Sequence, residues 1–351
     1  MTQSWTLGPF VKNETNPVLS PNPDGVFRCP VRGELVHWEA KDVFNPAAVV
    51  RDGKVYLLYR AEDSVGRYAG TSRIGLATSD DGLHFTRHPE PVLYPDHDDC
   101  LPYENEGGCE DPRVIEDEDG TYYLYYTAFN GEKARLFVAT STDLLSWRKH
   151  GNVFAHVPAC EALYTKSGSV VCELCAGRLV ATRVNGQYWM YFGEGTLYLA
   201  CSDDLICWTP VTACGEGDQV HGQPRRPGPE FMLPILRPRQ GRFDNVLVEP
   251  GPPALLTDAG IVLLYNSCHY STGPDDPIGD RTYAPLQALF DASDPTALLG
   301  RTLSPYLLPE EPYETVGQVS PTCFVEGLAH VGGRWLLYYG TADSKIAVAG
   351  C

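Results

Sequence analysis

The stretch Gly107-Gly108-Cys109-Glu110-Asp111-Pro112-Arg113 decides the fold. Its two glycines allow the backbone to approach other groups closely. Its proline cannot donate a ladder hydrogen bond, so it suits the first residue of a strand. An apolar segment, the turn Asp119-Gly120 and a second apolar segment follow. Two adjacent carboxylates and an arginine at a strand entrance indicate a site more than packing, and the strand–turn–strand pattern after them indicates β-structure.

The same strand–turn–strand pattern recurs along the chain, with a different polar residue at each entrance. The first strands of the units are expected near Ala47–Val50, Asp111–Arg113, Arg178–Val184, Pro253–Leu256 and Thr322–Val325. Asp-Gly and Asn-Gly pairs at the turns favour tight hairpins. Five copies with a period of roughly 65–75 residues, each reading as four strands, are typical of a repeat architecture. Radial repetition of four-stranded sheets is a β-propeller.

The sequence therefore predicts an all-β, five-bladed β-propeller. We expect residues 1–351 to form a single domain, with 1–42 as an N-terminal arm that wraps it and Trp5–Val11 as a closing strand. The alternative is a β-sandwich with a second domain. That alternative does not explain a short sequence motif that is repeated at Ala77–Asp80, Ala139–Ser141 and Ala200–Asp203.

Charge and composition exclude several classes of protein. The 351 residues carry a formal charge of −18, which disfavours binding to nucleic acid or to an anionic membrane. No apolar run is long enough for a transmembrane helix, and no signal peptide is visible at Met1–Trp5. A cytoplasmic protein is expected. Its 12 cysteines are then expected to be mostly reduced and buried.

Polar residues at the strand entrances are the candidates for chemistry, because the inner strands of a propeller begin around one central channel. They are Asn45, Glu110, Asp111, Glu194, Glu249 and Asp343, with Arg60, Arg73 and Arg113 close by in sequence. Glycoside cleavage needs one protonated and one ionised carboxyl that flank the bond. Glu194 and Glu249 lie among glycines or prolines, and partial desolvation of such a glutamate raises its pKa. The alternative interpretation is that individual acids cap turns or are solvated.

Other motifs carry less weight. The single pair Cys172 and Cys175 lacks the second pair or ordered histidines that zinc requires, so no metal and no cofactor are expected. His221 could contact a substrate or be solvated. Gly215–Arg239 and Thr272–Asp280 are predicted to be long loops, which are often functional.

Several motifs together resemble glycoside hydrolase family 130. They are Asn45-Pro46-Ala47, Tyr59–Asp63, Gly108–Arg113, Tyr265-Asn266, Gln287–Asp291 and Tyr338–Asp343. The resemblance extends from about Leu7 to Ala349. It implies a five-bladed propeller that acts on β-mannosides with inversion, either as a phosphorylase or, in one branch, as a β-1,2-mannosidase that uses water.

The resemblance also implies roles for individual residues. Asp111 matches the general acid of the phosphorylases, and Glu194 and Glu249 match the candidate acid and base of the hydrolytic branch. The residues that match mannose-binding positions are Asn45, Arg60, Arg73 and Asp343. The basic residues that hold phosphate in the phosphorylases are replaced here by Gly193-Glu194, by the run ending in Glu249, and by Asn266.

The resemblance favours an inverting β-1,2-mannosidase that acts on manno-oligosaccharides. A mannoside phosphorylase that produces mannose 1-phosphate is the enzymatic alternative. A sugar-binding propeller without turnover is the alternative of another class. The longer loop Gly215–Arg239, with Arg225, Arg226, Arg237 and Arg239, could bring new arginines to a phosphate. The aglycone, the roles of the three acids and the oligomeric state stay open.

Overall fold

The structure, a computed structural model, describes residues 4–68, 70–158, 160–161, 163–213, 219–220, 223–224, 232–271, 273, 276, 278 and 281–351. Within these ranges the regular secondary structure is almost entirely β-strand, with two single-turn helices, so the all-β prediction is confirmed. No helix in the described part of the chain has the length and apolarity needed to cross a membrane.

The elements follow one another in chain order. The first half contains β1 (Val11–Lys12), β2 (Phe27–Arg28), β3 (Leu35–Val36), β4 (Asp42–Arg51), β5 (Lys54–Glu62), β6 (Ser72–Ser79), β7 (Thr86–Arg87), α1 (Leu101–Glu104), β8 (Gly108–Glu116), β9 (Tyr122–Phe129), β10 (Ala134–Ser141), β11 (Arg148–Asn152), β12 (Gly168–Cys175) and β13 (Arg178–Ala181). The second half contains β14 (Tyr188–Phe192), β15 (Tyr198–Ser202), β16 (Thr209–Pro210), β17 (Gln219–Val220), β18 (Gln223–Pro224), β19 (Leu247–Pro250), β20 (Ala254–Thr257), β21 (Gly260–His269), β22 (Thr282–Phe290), β23 (Leu298–Arg301), α2 (Pro312–Thr315), β24 (Cys323–Val331), β25 (Arg334–Thr341) and β26 (Lys345–Gly350).

Most strands pair antiparallel with their neighbours in sequence and form successive sheets. The first sheet runs β4-β5-β6-β7 and the second runs β8-β9-β10-β11. The third runs β12-β14-β15-β16, and in the fourth both β19 and β20 pair with β21, followed by β22 and β23. The last runs β24-β25-β26-β1. Short parallel contacts, such as Ser72 of β6 with Gly108 of β8, join neighbouring sheets.

The N-terminal segment does supply the closing strand, although later than Trp5–Val11. Val11 and Lys12 of β1 pair with Gly350 and Ala349 of β26. The buried carboxylate of Glu314 fixes this strand, since Lys12 Nζ lies 2.6 Å from Glu314 Oε2. The last sheet is thus built from both halves of the chain. The single domain and the wrapping of residues 1–42 stay predictions.

The predicted start of the third unit is wrong. Arg178–Ala181 forms a hairpin with the second half of β12 rather than opening the sheet. The first half of β12, Gly168–Val170, pairs with β14 and is the inner strand of that sheet. The inner strand of the third sheet therefore begins at Gly168. The polar residues at its entrance are those at 164–167, not those before Arg178.

The cores lie where neighbouring sheets face each other. Leu58 of the first sheet and Phe137 of the second belong to one buried cluster, and Tyr191 and Phe290 join the third sheet to the fourth. All described cysteines carry free thiols, and most of them are buried. This agrees with the prediction of reduced, packed cysteines.

Candidate active site

Backbone irregularities aim the polar residues at the strand entrances. In β4 the pairing register shifts between Phe44 and Pro46, and in β8 it shifts between Glu110 and Arg113. Asn45 and Asp111 lie at these shifts with φ values of 49° and 48°. A bulge of this kind redirects a side chain out of the regular strand pattern. The two bulges bring Asn45 and Asp111 together, 2.7 Å from Nδ2 to Oδ1.

Glycines next to these bulges keep the backbones close. Gly108 has a φ of 115°, and a Cβ there would lie 2.1 Å from the carbonyl oxygen of Ser72. A Cβ on Gly340 would lie 2.8 Å from Asn45 Oδ1. A larger residue would push β8 away from β6 at the first place and β25 away from β4 at the second.

Arg60 binds the carboxylates at this entrance. Its guanidinium donates to Asp111 Oδ1 at 3.0 Å, to Glu110 Oε1 at 2.9 Å and to Glu62 Oε1 at 2.7 Å. Burial alone would raise the pKa of Asp111, but the charges of Lys166, Arg60 and Arg113 outweigh it and hold that pKa below its usual value. Asp111 is therefore an ionised group in the free protein. Asn45 Oδ1 is buried without a hydrogen-bond partner, which suits it to accept from a ligand hydroxyl.

Lys166 is the centre of the site and was missed by the sequence analysis. Its Nζ lies 3.4 Å from Asp111 Oδ2, 3.5 Å from Glu249 Oε1 and 3.7 Å from Glu194 Oε1. Burial opposes its charge, but Glu249, Asp111 and Glu194 more than compensate and raise the pKa of Lys166 well above its usual value. The predicted catalytic residues Asp111, Glu194 and Glu249 therefore meet around one permanent cation. The error in the third unit hid it, since Lys166 precedes the true inner strand β12.

Glu194 projects from a tight turn after β14. Gly193 and Gly195 have φ values of 115° and 80°, and a Cβ on Gly193 would lie 2.6 Å from Thr196 O. The side chain of Glu194 keeps 31% exposure, the highest of the three acids around Lys166. Tyr164 is close to it: burial first, and then the charge of Glu194, raise the pKa of the tyrosine to about 12. Glu194 is the acid that solvent reaches most easily.

Glu249 is buried in β19. The hydroxyl of Ser167 donates to Glu249 Oε1, and Arg113 Nη2 lies 4.0 Å from the same oxygen. Burial raises the pKa of Glu249 against the opposing charge of Lys166, with Glu194 adding to the rise. A proton is thus held more easily on Glu249 than on Asp111. Glu194 Oε1 and Glu249 Oε1 lie 3.7 and 3.5 Å from Lys166 Nζ, so these two oxygens cannot be farther apart than the sum of those distances. Their greatest possible separation falls in the lower part of the roughly 6.5–9.5 Å range between the two carboxyl groups of inverting glycosidases.

A fully buried ion pair lies beneath these acids. Arg113 Nη2 lies 2.7 Å from Glu326 Oε1, an ion pair without hydrogen-bond alignment. Arg113 also donates to the carbonyl oxygens of Asp111 at 3.0 Å and Pro250 at 2.9 Å. Glu326, which the sequence analysis missed, lies at the register shift of β24, and burial raises its pKa well above the usual value. Arg113 thereby ties β8, β19 and β24 together close to Glu249.

Asp343 and Arg73 have different positions relative to this group. Asp343 follows β25 with a φ of 51°, and its carboxyl interacts with the charges of Arg60 and Asp111. Arg73 is fully buried, with Nη1 2.6 Å from Asp63 Oδ2 and 3.2 Å from Thr71 O. The structure therefore brings Asp343 to the site. Arg73 instead binds Asp63 and Thr71 and so stabilises the segment that follows β5.

The pH dependence of stability should reveal Asp343. Burial, reinforced by Asp111, raises its pKa to about 7, despite the opposing charge of Arg60. A carboxyl whose folded pKa is raised stabilises the protein below its unfolded pKa of about 4, and this contribution is lost as pH rises through about 7. We expect the difference in melting temperature, wild type minus Asp343→Asn, to fall between pH 5 and 8. Thermal unfolding across this range measures it, and a difference that stays constant or rises with pH contradicts it.

Other candidates lie outside the site or outside the described residues. His221, Arg225 and Arg226 are outside the described residues. Arg239 is described, and its Nε lies 3.0 Å from Asp244. In the described part of the chain, no group of His, Cys, Asp and Glu side chains is arranged to hold a metal, the pair Cys172 and Cys175 included.

Asn266 is occupied structurally. Its Nδ2 donates to Val325 O at 2.9 Å, and its Oδ1 accepts from Val325 N at 2.7 Å. The amide thus joins the fourth sheet to the last one, and both of its ends are used in doing so.

Comparison with known proteins places this arrangement in a family. The model of glycoside hydrolase family 130, described as beta-1,4-mannooligosaccharide phosphorylase, matches residues 11–351. A 1,2-beta-oligomannan phosphorylase of Thermoanaerobacter sp. (strain X514) is 30% identical over 321 residues, 89% of this chain and 90% of that protein.

Solved structures agree over the whole length. A putative glycoside hydrolase from Bacteroides ovatus ATCC 8483 is 44% identical with a TM-score of 0.91, covering 99% of this chain and 98% of that chain. Another structure is 42% identical with a TM-score of 0.91, covering 100% of this chain and 95% of that chain. Its description states that the GH130 family of mannoside phosphorylases contains glycoside hydrolases that target beta-1,2 mannosidic linkages in Candida mannan. The chain belongs to glycoside hydrolase family 130, whose members act on β-mannoside oligosaccharides.

Proposed function

We propose that this protein is an inverting glycoside hydrolase that releases mannose from β-1,2-linked manno-oligosaccharides. The observation that carries the proposal is the convergence of Glu194 and Glu249 with Asp111 within 3.7 Å of the Lys166 ammonium. The β-1,2 linkage is taken from the relatives, since both the oligomannan phosphorylase and the structure described for Candida mannan concern it. We infer that the successive sheets are the five blades of a propeller and that the protein is cytoplasmic.

Each residue then has a part in the reaction. Asn45, Arg60 and Asp343 hold the terminal mannose, and ionised Asp111 accepts from its hydroxyls. Glu249 is the general acid, because burial raises the pKa of its carboxyl and so favours the protonated form that gives a proton to the leaving oxygen. Glu194 is the general base: its more exposed carboxylate takes a proton from the attacking water. Asp111 is the second candidate for the acid, although its lowered pKa disfavours that part.

Phosphate is a poor fit to this site. A dianion beside the anomeric carbon calls for free cationic donors, and here the cation Lys166 already faces three acidic side chains. A like charge at about 4 Å costs roughly 4 kcal/mol at an effective dielectric near 20. Asn266, at the place of a phosphate-binding histidine, spends its amide on Val325. These features support water as the nucleophile. The phosphorylases among the relatives make phosphorolysis the second candidate.

The assay that tests the proposal compares β-1,2-mannobiose breakdown in phosphate-free buffer with breakdown in millimolar phosphate. We expect free mannose at the same rate in both, with α-mannose as the first-formed anomer by proton NMR. The β-1,4 linkage named for the family model is the control substrate and should be cleaved more slowly. Mannose 1-phosphate as the product, with little turnover when phosphate is withheld, refutes the hydrolase.

A further inference from the structure

Lys166 is a cation whose charge the protein neutralises with its own acids. The groups that face it come from three sheets: Asp111 of β8, Glu194 after β14 and Glu249 of β19. Its charge also acts on Glu110, Glu326 and Asp343, and on Tyr164 of its own segment. Two other cations, Arg60 and Arg113, act on Asp111 in the same direction as Lys166. Acids thus outnumber cations around this ammonium.

The contacts of Lys166 leave its ammonium without a short hydrogen bond to any of the three acids. An ammonium has three donors, and a charge-assisted hydrogen bond to a carboxylate spans roughly 2.7–2.9 Å. The separations from Lys166 are 3.4, 3.5 and 3.7 Å, all longer than that. The side chain keeps 17% exposure, so solvent reaches it. A small oxygen ligand placed among these groups would receive a shorter hydrogen bond than any of the carboxylates has.

We propose that Lys166 selects the nucleophile: with Glu194 ionised beside it the site admits water, and without that charge Lys166 binds phosphate and the enzyme becomes a phosphorylase. The inference rests on the proposed function, because it takes Glu194 as the base. Removing Glu194 changes two things at once. Water loses the group that takes its proton, and the ammonium loses one of its three acidic neighbours.

Phosphorolysis by the variant that lacks Glu194 needs no general base. A phosphate oxygen, already anionic, forms the bond to the anomeric carbon from the side opposite the leaving sugar. The glycosidic carbon–oxygen bond breaks, and the leaving oxygen takes its proton from Glu249. The products are α-mannose 1-phosphate and the oligosaccharide shortened by one mannose. Lys166 pairs with the phosphate as it now pairs with Glu194.

The experiment uses Glu194→Ala with a β-1,2-manno-oligosaccharide and inorganic phosphate. We expect release of free mannose to fall at least about a hundredfold, as for a lost general base. Phosphate should then raise substrate consumption at least about tenfold, with mannose 1-phosphate as the product, since a basic side chain can again pair with an anion. Adding Lys166→Met to this variant should abolish the gain. Adding Lys54→Met, which removes an exposed lysine paired with Asp80, should leave it intact.

Melting temperatures confirm that each variant is folded before it is assayed. Folded Glu194→Ala that consumes no more substrate with phosphate overturns the proposal, as does a gain that survives Lys166→Met. A wild type that itself needs phosphate overturns the proposed hydrolase and with it this inference. A wild type that releases mannose without phosphate, together with a Glu194→Ala variant that phosphate does not help, overturns the inference alone.

Discussion

Replacing Glu249 with Gln should lower turnover of β-1,2-mannobiose by at least about a hundredfold, because an amide cannot give a proton to the leaving oxygen. Glu194→Gln should cause a loss of the same order through the base. The two variants separate when the leaving group changes. An aryl β-mannoside with an acidic phenol departs without protonation, so Glu249→Gln should recover much of its rate on it, whereas Glu194→Gln should not.

The matched control is Glu173→Gln, an exposed glutamate of β12, which should keep the rate of the wild type. Asp111→Asn tests the second candidate for the acid. Recovery on the aryl mannoside by Asp111→Asn, and not by Glu249→Gln, would transfer the acid to Asp111. Near-normal turnover in both glutamate variants would place the chemistry elsewhere.

A sugar-binding protein without turnover is recognised by tight oligosaccharide binding in a wild type that releases no mannose.

The largest loss of stability is expected from Arg113→Met. Arg113 and Glu326 are 1% and 0% exposed, and their charges face each other at 2.7 Å. Removing one partner of a buried ion pair typically costs about 3–5 kcal/mol, because the other charge is left uncompensated. Burial, and then the acids Asp111 and Glu249, raise the pKa of Glu326, and without Arg113 only the weaker effect of Lys166 would oppose them. Denaturant unfolding measures the loss.

Arg178→Met is the matched control for this prediction. Arg178 also pairs with a glutamate, Glu116, but its side chain is 43% exposed. Because Glu116 is only 5% exposed, the control should lose more than the roughly 1 kcal/mol of a fully exposed pair, but less than Arg113→Met, since solvent reaches the Arg178 end. Combining Arg113→Met with Glu326→Leu should recover part of the loss, because an apolar replacement of the whole pair leaves no buried charge. Equal stability of Arg113→Met and Arg178→Met contradicts the prediction.

The entrances with a proline were accessible to sequence reasoning. Asn45 and Asp111 each precede a proline, which marks a bulge in the first half of β4 or β8, and the structure joins them by a hydrogen bond. The third sheet lacks that signal. Its entrance, Tyr164-Thr165-Lys166-Ser167, precedes a strand that is shared between two hairpins, and the later strand Arg178–Ala181 was taken as the start. The central lysine was missed for this reason.

For two further residues, Glu326 and Arg73, the sequence pattern was not enough to predict the contacts of the side chain. Glu326 stands within a mostly apolar strand, and only the fold reveals that its partner is Arg113 of another sheet. Arg73 was expected at the sugar through the resemblance. In the structure its guanidinium lies against Asp63, which also accepts from the backbone N–H groups of Val65 and Thr71. A one-dimensional pattern cannot tell an arginine that faces a pocket from one that supports the loop beside it.

The pairing of β1 with β26 has a consequence for synthesis in the cell. β1 leaves the ribosome early and β26 late, yet Val11 and Gly350 are partners in one sheet. Until β26 emerges, β1 exposes an unpaired edge, which is a template for pairing with other chains. Nascent chains on one polysome carry many copies of this edge. Chaperones that shield the early strand should therefore matter more for the yield of this protein than for proteins whose sheets are complete within one stretch of chain.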